Sequence, residues 1–354
     1  MALPPWHPDS LGARLPALRR RARLAAEVRA FLAARGYTEA ETPCLVPSPG
    51  AEVHLRGFRT RFEPHLGQGG PPRDLWLRTS PELALKRLLV GGAGPVFEFA
   101  RVWRNGEAAP PRHAPEFTML EWYGLGLSLG GLMDETEALV RAVLPPRVAH
   151  GGTETDVSLA FERVRVADAF AAWCGGGLDL LATVDPATGE GDGAALRDAA
   201  RRAGLDAREG DDWETLFFRL LLEHVEPRLG RERATFLTHW PTPQAALARR
   251  DPADPRAALR FELFVAGLEL ANAYEELTDA EEQAARLARD MAERARLHGE
   301  AWPVDADFLA ALRHGMPPAS GIAMGFDRLA MLAAGVPRVE DVLWLPVLPP
   351  PEGA

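Results

Sequence analysis

Apolar side chains at Leu15, Leu18, Ala22, Ala25, Val28, Phe31 and Leu32 recur at helical spacing and stop before Gly36, which predicts an amphipathic helix closed by a glycine. Arg19, Arg20, Arg21 and Arg23 fall between them and read as its solvated face, or as a docking patch for an acidic protein. TEAETPCLVP is strand-like but broken by Pro43 and Pro47, which deny it a central place in a sheet ladder. LWLRTSPELALKRLLVGG predicts a strand and then a helix opening at Ser80, with Pro81 at its first position and Glu82 in its first turn.

Two β-rich stretches follow, FARVWRNGEAAPPRHAPEFTMLEWY from Phe99 to Tyr123 and RFELFVAGLELANAYEEL from Arg260 to Leu277. Between them, residues 130–250 carry a mostly helical pattern, interrupted by the Gly/Asp-rich TGEGDGAALRD, which reads as a surface loop. EEQAARLARDMAERARLHG is a charged amphipathic helix, and SGIAMGFDRLAMLAAG passes from extended chain to helix. Strands mixed with separate helices, without regular βαβ alternation, predict α+β with an antiparallel sheet. The Pro-rich tail LPVLPPPEG is expected to fray.

The 354 residues, 47% hydrophobic and 25% charged, suffice for a full-sized core, and no internal repeat divides them. A net charge of −10 argues against a surface that neutralises many phosphates, so non-specific nucleic-acid binding is not expected. No apolar run approaches the length of a membrane span. Cys44 and Cys174 have no metal-like or disulfide-framework spacing, which fits a reducing cytoplasm.

On an extended strand alternate side chains share a face, which groups Phe117, Met119, Glu121 and Tyr123, and separately Asn272, Tyr274 and Glu276. Each strand then offers a carboxylate beside an aromatic hydroxyl, a way to hold an amine, although any one acid could equally belong to an ordinary polar strand face. Glu262 and Glu269 lie seven apart, on opposite faces of a straight strand. A turn at Val265-Ala266-Gly267 would make them cross-strand neighbours, where two carboxylates favour a cation such as Mg²⁺; an exposed hairpin without metal is the alternative. Arg101 and Arg104 precede the polar segment Asn105 to Pro111, and Arg112, His113 and Phe117 follow it, so cations converge beside an aromatic platform suited to a triphosphate and a purine. There is no GxxxxGK[ST], and GLGLSLGG lacks the GxGxxG spacing, so neither a P-loop nor a Rossmann site is supported.

These segments carry a resemblance. FARVWRN with RHAPEFTMLEWY resembles motif 2 of class II aminoacyl-tRNA synthetases of the lysyl type, and GIAMGFDRLAML resembles motif 3. The Arg-rich helix running into ETPCL, with Pro43, resembles motif 1, and RTSPELALKRLL and RFELFVAGLELANAYEELTD match in between, so the likeness spans about residues 15 to 345. It implies one class II catalytic domain over 1–354, with ATP as substrate and Mg²⁺ as cofactor. Because few residues precede the first helix, no anticodon-binding domain is expected, and the similarity is to a stand-alone branch that joins β-lysine to a lysine side chain of elongation factor P. Activation of α-lysine for another acceptor, or a regulatory paralogue, are the other readings.

Residue by residue, the resemblance assigns Arg104 to the α-phosphate, His113 to the outer phosphates, and Phe117 and Arg328 to the two faces of adenine. It assigns Glu262 and Glu269 to Mg²⁺, and places Glu82, Glu121, Tyr123, Asn272 and Glu276 around the amino acid. Ala323 stands where lysyl-tRNA synthetases usually carry Gly; its methyl would crowd an α-amine and favour a β-amino acid. The motif 2 loop is one residue longer than usual and includes Glu107, Ala114 replaces Asn, Tyr274 replaces Phe, and Glu275 adds an acid. A homodimer follows from motif 1, which lies at a two-fold interface in the family.

Overall fold

The computed structural model describes residues 3–65, 70–106, 112–245 and 247–347. Residues 107–111 of the extended motif 2 loop, Glu107 among them, and most of the Pro-rich tail lie outside them. The class is α+β, with mostly antiparallel strands flanked by helices, and the chain divides into two compact units.

The first unit opens with α1 (Pro8–Ala33), β1 (Thr38–Glu39), β2 (Leu45–Val46), β3 (Phe58–Phe62), β4 (Arg73–Leu77), α2 (Glu82–Val90), β5 (Val96–Trp103) and β6 (Glu116–Leu125). The second contains α3 (Leu129–Val143), β7 (Arg147–His150), β8 (Thr153–Asp156), β9 (Glu162–Arg165), α4 (Val166–Trp173), α5 (Gly193–Arg202), α6 (Trp213–Leu220), β10 (Thr235–Pro241), β11 (Arg250–Asp251), β12 (Asp254–Val265) and β13 (Leu268–Glu275). The chain returns to the first unit with α7 (Ala280–His298) and α8 (Ala306–Gly315); after β14 (Ala319–Gly325), whose residues are shared out between the units, α9 (Phe326–Ala334) again belongs to the first.

In the first unit β1 runs parallel to β5, and β5 pairs antiparallel with β6, setting Glu98 opposite Glu121 and Val102 opposite Phe117. A smaller sheet, β2-β4-β3, stands apart from these strands. Helix α1 packs on α9 and fully buries Leu18, Leu24, Val28 and Leu32, whereas Ala22 of the expected stripe is exposed. The arginine face needs one correction. Arg21 does not lie in solvent: its guanidinium pairs with Asp327 at 2.6 Å, donates to Thr118 Oγ1 at 2.8 Å and sits 5.0 Å from the Phe326 ring. Asp327 in turn accepts the Thr118 N–H at 2.9 Å, so this arginine ties α1 and α9 to β6. A buried pair, Arg78 with Glu98 at 2.7 Å, fastens the end of β4 to β5, with Thr42 Oγ1 bonded to both.

In the second unit β13, β12 and β10 are antiparallel, and β9 adds to β10 in parallel. The helical expectation for residues 130–250 holds for α3 to α6 but missed β7 to β10, because these strands are short or, in β10, buried throughout, and so lack a period-two polar face. The Gly/Asp-rich stretch is only half loop: Asp192 accepts from the N–H groups of Ala194 and Ala195 and caps α5. A stacked aromatic column, Phe170, Phe217 and Trp213 with centroids 5.3 and 5.0 Å apart, centres this unit's core. Among the described residues no helix is long and apolar enough to cross a membrane.

Candidate active site

In the first unit, β6 and the start of α2 build an acidic pocket floor. Alternation along β6 brings Glu121 and Tyr123 to one face, where the Tyr123 hydroxyl donates to Glu121 Oε2 at 3.0 Å. Ser80 Oγ donates to Glu121 Oε1 at 2.6 Å and also accepts the Glu82 N–H at 3.0 Å. Helix α2 begins at Glu82, one residue after the first position that the sequence assigns to Pro81; Pro81 is the N-cap without a side-chain bond of its own, and Ser80 Oγ meets the Glu82 N–H. Glu82 Oε1 receives Lys86 Nζ at 2.5 Å, one helical turn on, and Lys86 is 2% exposed. Glu121 is fully buried; burial first, and the neighbouring Glu82 charge second, push its carboxyl up to about 8, against the pull of Ser80, Tyr123 and Lys86. Glu82 and Glu121 share the charge of Lys86, and a substrate ammonium would add positive charge beside them.

The same strand presents Phe117 at its other end. Phe117 and Ala323 both pack against a small cluster of Ala100, Val102 and Met119, and the Arg104 guanidinium stands 5.3 Å from the Phe117 ring. Arg104 is held at the base of the polar loop by its own N–H, which donates to Pro115 O at 3.0 Å. From α9, the Arg328 guanidinium lies against the His113 imidazole, 3.3 Å from Nε2 and 3.5 Å from Nδ1. The structure therefore groups Arg104 with Phe117, and His113 with Arg328. Arg101, counted among the converging cations, faces Glu116 at 3.8 Å, and Arg112 contributes its carbonyl to Arg328.

In the second unit the β12–β13 hairpin turns at Ala266 and Gly267, both at positive φ (52° and 70°), the geometry of a type I′ turn. Its register sets Asn272 opposite Glu262 and Glu269 opposite Phe264, with a bulge between. Glu269 thus faces a residue two positions from Glu262, and the two acids are diagonal neighbours across the hairpin, close to the cross-strand pairing expected of the turn. Glu262 is 9% exposed; burial, and next the charge of Glu269, push its carboxyl up to about 8, partly relieved by Arg260, whose guanidinium lies 2.5 Å from Oε1. A buried carboxylate made more costly by a second one suits a divalent cation, and among the described residues no group of three or more His, Cys, Asp or Glu gathers. Such an ion would complete its shell with water and phosphate, as Mg²⁺ does.

Asn272 and Tyr274 share a face as alternation requires, Asn272 Nδ2 donating to the Tyr274 hydroxyl at 2.9 Å, and Glu276 is 2% exposed just beyond them. Glu275 is turned elsewhere. It pairs with Arg249 at 2.5 Å and accepts the Leu129 N–H at the start of α3, so it is spent on structure and adds no free acid to the neighbourhood. Sequence reasoning missed Arg260, which reaches Asn272 Oδ1 at 3.1 Å and lies over the Trp240 ring at 4.1 Å. The signal was available, since Arg260 is two residues from Glu262 on one strand face. It also missed Lys86, one turn beyond Glu82, and Glu52.

With this geometry in place, comparisons with known proteins are informative. The sequence pattern of the tRNA synthetases class II (D, K and N) matches residues 14–349. The chain is also 40% identical over 342 residues to a protein of Haemophilus influenzae (strain PittGG) named "Elongation factor P--(R)-beta-lysine ligase", covering 97% of each chain.

Proposed function

Since the chain belongs to the class II tRNA synthetases of the D, K and N type, we propose that it is an ATP-dependent ligase that activates (R)-β-lysine as its adenylate and transfers it to a lysine side chain of elongation factor P. The observation that carries this reading is the enclosed acid pair of the first unit, Glu82 and Glu121, with Ser80, Tyr123 and Lys86 fixing its geometry. It is a seat for an ammonium.

In the first reaction the substrate carboxylate attacks the α-phosphorus in line, a P–O bond forms to the amino acid, and the bond to pyrophosphate breaks. Arg104 faces the phosphoryl oxygens as charge shifts among them, a preorganised donor that needs no rearrangement. His113 takes the outer phosphates, and Phe117 and Arg328 hold adenine by its faces. In the second reaction the acceptor's deprotonated ε-amine attacks the adenylate carbonyl; an amide forms, AMP leaves, and the nitrogen loses a proton. No enzyme nucleophile takes part. Glu262 and Glu269 of the second unit would hold Mg²⁺, which when bound neutralises triphosphate charge. Asn272 and Glu276 of that unit carry the polar groups the family uses for its amino acid.

Ala323, packed against the Phe117 cluster, is the residue we assign to the choice between α- and β-amines. One methyl is worth about 1–3 kcal/mol of discrimination, so Ala323→Gly should shift preference toward α-lysine by roughly 10- to 100-fold in pyrophosphate exchange. Residues 1–354 act as one catalytic domain, and the protein works as a cytoplasmic homodimer without anticodon-directed tRNA binding. Incubation with ATP, β-lysine and elongation factor P, followed by intact-mass analysis of the acceptor, tests the whole reading. A gain of one lysyl mass is expected; an unmodified acceptor together with pyrophosphate exchange driven only by α-lysine would refute it, and a monomer by light scattering would refute the assembly.

A further inference from the structure

We infer that Glu52 is a specificity-determining residue of the same site, a carboxylate that takes the substrate amine nearer the reacting carboxyl group. This rests on the ligase reading above.

Glu52 lies on the loop between β2 and β3, and that loop is clamped on both sides. On one side Thr79, fully buried, donates both its N–H (3.3 Å) and its hydroxyl (2.7 Å) to Pro49 O. On the other, Arg294 of α7, 1% exposed and stacked 3.6 Å from the Trp302 ring, donates to the carbonyls of Val53 at 2.9 Å and Leu55 at 2.6 Å. A loop held this firmly fixes the side chain it carries. Glu52 folds back over Gly50, where Oε2 accepts the Ala51 N–H at 3.0 Å. The fit is tight: a Cβ at Gly50 would come within 2.3 Å of Glu52 Oε2 and 2.9 Å of Thr79 Oγ1.

Thr79 immediately precedes Ser80, the residue that binds Glu121 and caps Glu82, so the Glu52 carboxylate stands at the threshold of the acid pocket. Its electrostatic surroundings agree. Burial raises its carboxyl above the ordinary value, Arg104 draws it down, and Glu82 pushes it up. Glu52 is therefore flanked by the cation assigned to the α-phosphate and by an acid assigned to the amines. A diamino acid with its carboxyl end at Arg104 and its far ammonium at Glu121 must place its near amine between these landmarks, where Glu52 and Glu82 both face it. An ammonium there would offset the burial cost of Glu52, and a neutral methylene would not.

The test is pyrophosphate exchange by the full chain with two substrates: β-lysine, and 6-aminohexanoate, which is β-lysine without its near amine. Glu52→Gln should raise KM for β-lysine by about 10- to 100-fold, the loss expected for one charged hydrogen bond. KM for ATP and KM for 6-aminohexanoate should each move by less than about threefold. Glu52→Asp should recover part of the loss, and Gly50→Ala, which displaces the carboxylate without removing it, should reproduce the Gln phenotype. The inference is overturned if Glu52→Gln weakens both amino acids equally, which would make it a structural support, or weakens ATP instead, which would make it a partner of Arg104. Should the native protein exchange pyrophosphate with no diamino acid, the ligase reading itself falls and this inference with it.

Discussion

Glu121 provides the sharpest quantitative test of the pocket. Its carboxyl is raised from an ordinary 4.5 to about 8, so between these values the folded protein binds a proton that the unfolded chain does not. Stability must then fall as pH rises through that window, and the whole cost is present above pH 8. At 1.36 kcal/mol per unit, a displacement of about 3.5 units amounts to about 5 kcal/mol at high pH, and about 2 kcal/mol of it accrues between pH 6 and pH 8. Glu121→Gln keeps the shape and removes the charge, so urea unfolding of this variant should lack that slope and show higher stability than the native protein at pH 8. The substrate reverses the effect. An ammonium beside Glu121 favours the ionised form, so binding of β-lysine at pH 7 should release close to one proton, read by calorimetry in buffers of different ionisation heat. Affinity should strengthen by up to about tenfold for each unit that pH rises towards 8. A pH-independent binding constant between 6 and 8, or identical stability slopes for native and Glu121→Gln proteins, would show that Glu121 is ionised in the free enzyme and that the argument from burial is wrong.

Other consequences can be measured independently. Glu262, also raised to about 8 by burial and by Glu269, should give up a proton when Mg²⁺ binds, so Mg²⁺ affinity measured by titration should weaken as pH falls below 8, and Glu262→Gln should abolish that dependence. Arg104→Ala should lower pyrophosphate exchange by about 10²- to 10³-fold, the usual cost of losing one preorganised charge donor, with little change in thermal stability. Arg78→Met strands the buried Glu98 and should cost about 3–5 kcal/mol in denaturant unfolding, much of which Glu98→Leu in the same chain should recover.

How far the sequence foretold this molecule depends on whether a feature is local. The α2 start, to within a residue, and the β12–β13 turn were legible because Ser80 and Gly267 are local signals whose physics needs no partner. The alternating faces of β6 and β13 were legible for the same reason, and the bonds Tyr123 to Glu121 and Asn272 to Tyr274 follow from a period of two. Arg21 was misjudged because an arginine between apolar helical positions looks solvated until Asp327, far away in sequence, closes on it. Glu275 was misjudged in the opposite sense: one more acid in an acid-rich strand looks functional until Arg249 and the α3 N-terminus claim it. Glu52 gave no signal at all, since its meaning arises only when Thr79 and Arg294 pin its loop beside Glu82 and Arg104.

The contrast between Glu98 and Glu121, paired directly across β5 and β6, shows how the fold distinguishes support from function. Both are buried carboxylates. Glu98 is matched by the full charge of Arg78 at 2.7 Å and by the Thr42 hydroxyl at 2.7 Å, so it is satisfied as built and a ligand has nothing to add. Among the described residues the hydrogen bonds to Glu121 come from the neutral donors Ser80 and Tyr123, while Lys86, whose charge also draws on Glu121, makes its 2.5 Å contact with Glu82. Neutral donors orient a carboxylate but do not cancel its charge, and that deficit is what an incoming ammonium makes good. If this logic is right, a cation introduced beside Glu121, as in Tyr123→Lys, should stabilise the empty protein above pH 7 and block amino-acid binding while leaving ATP binding within about threefold of native. A stabilised variant that still activated β-lysine would show that the amine is held somewhere else.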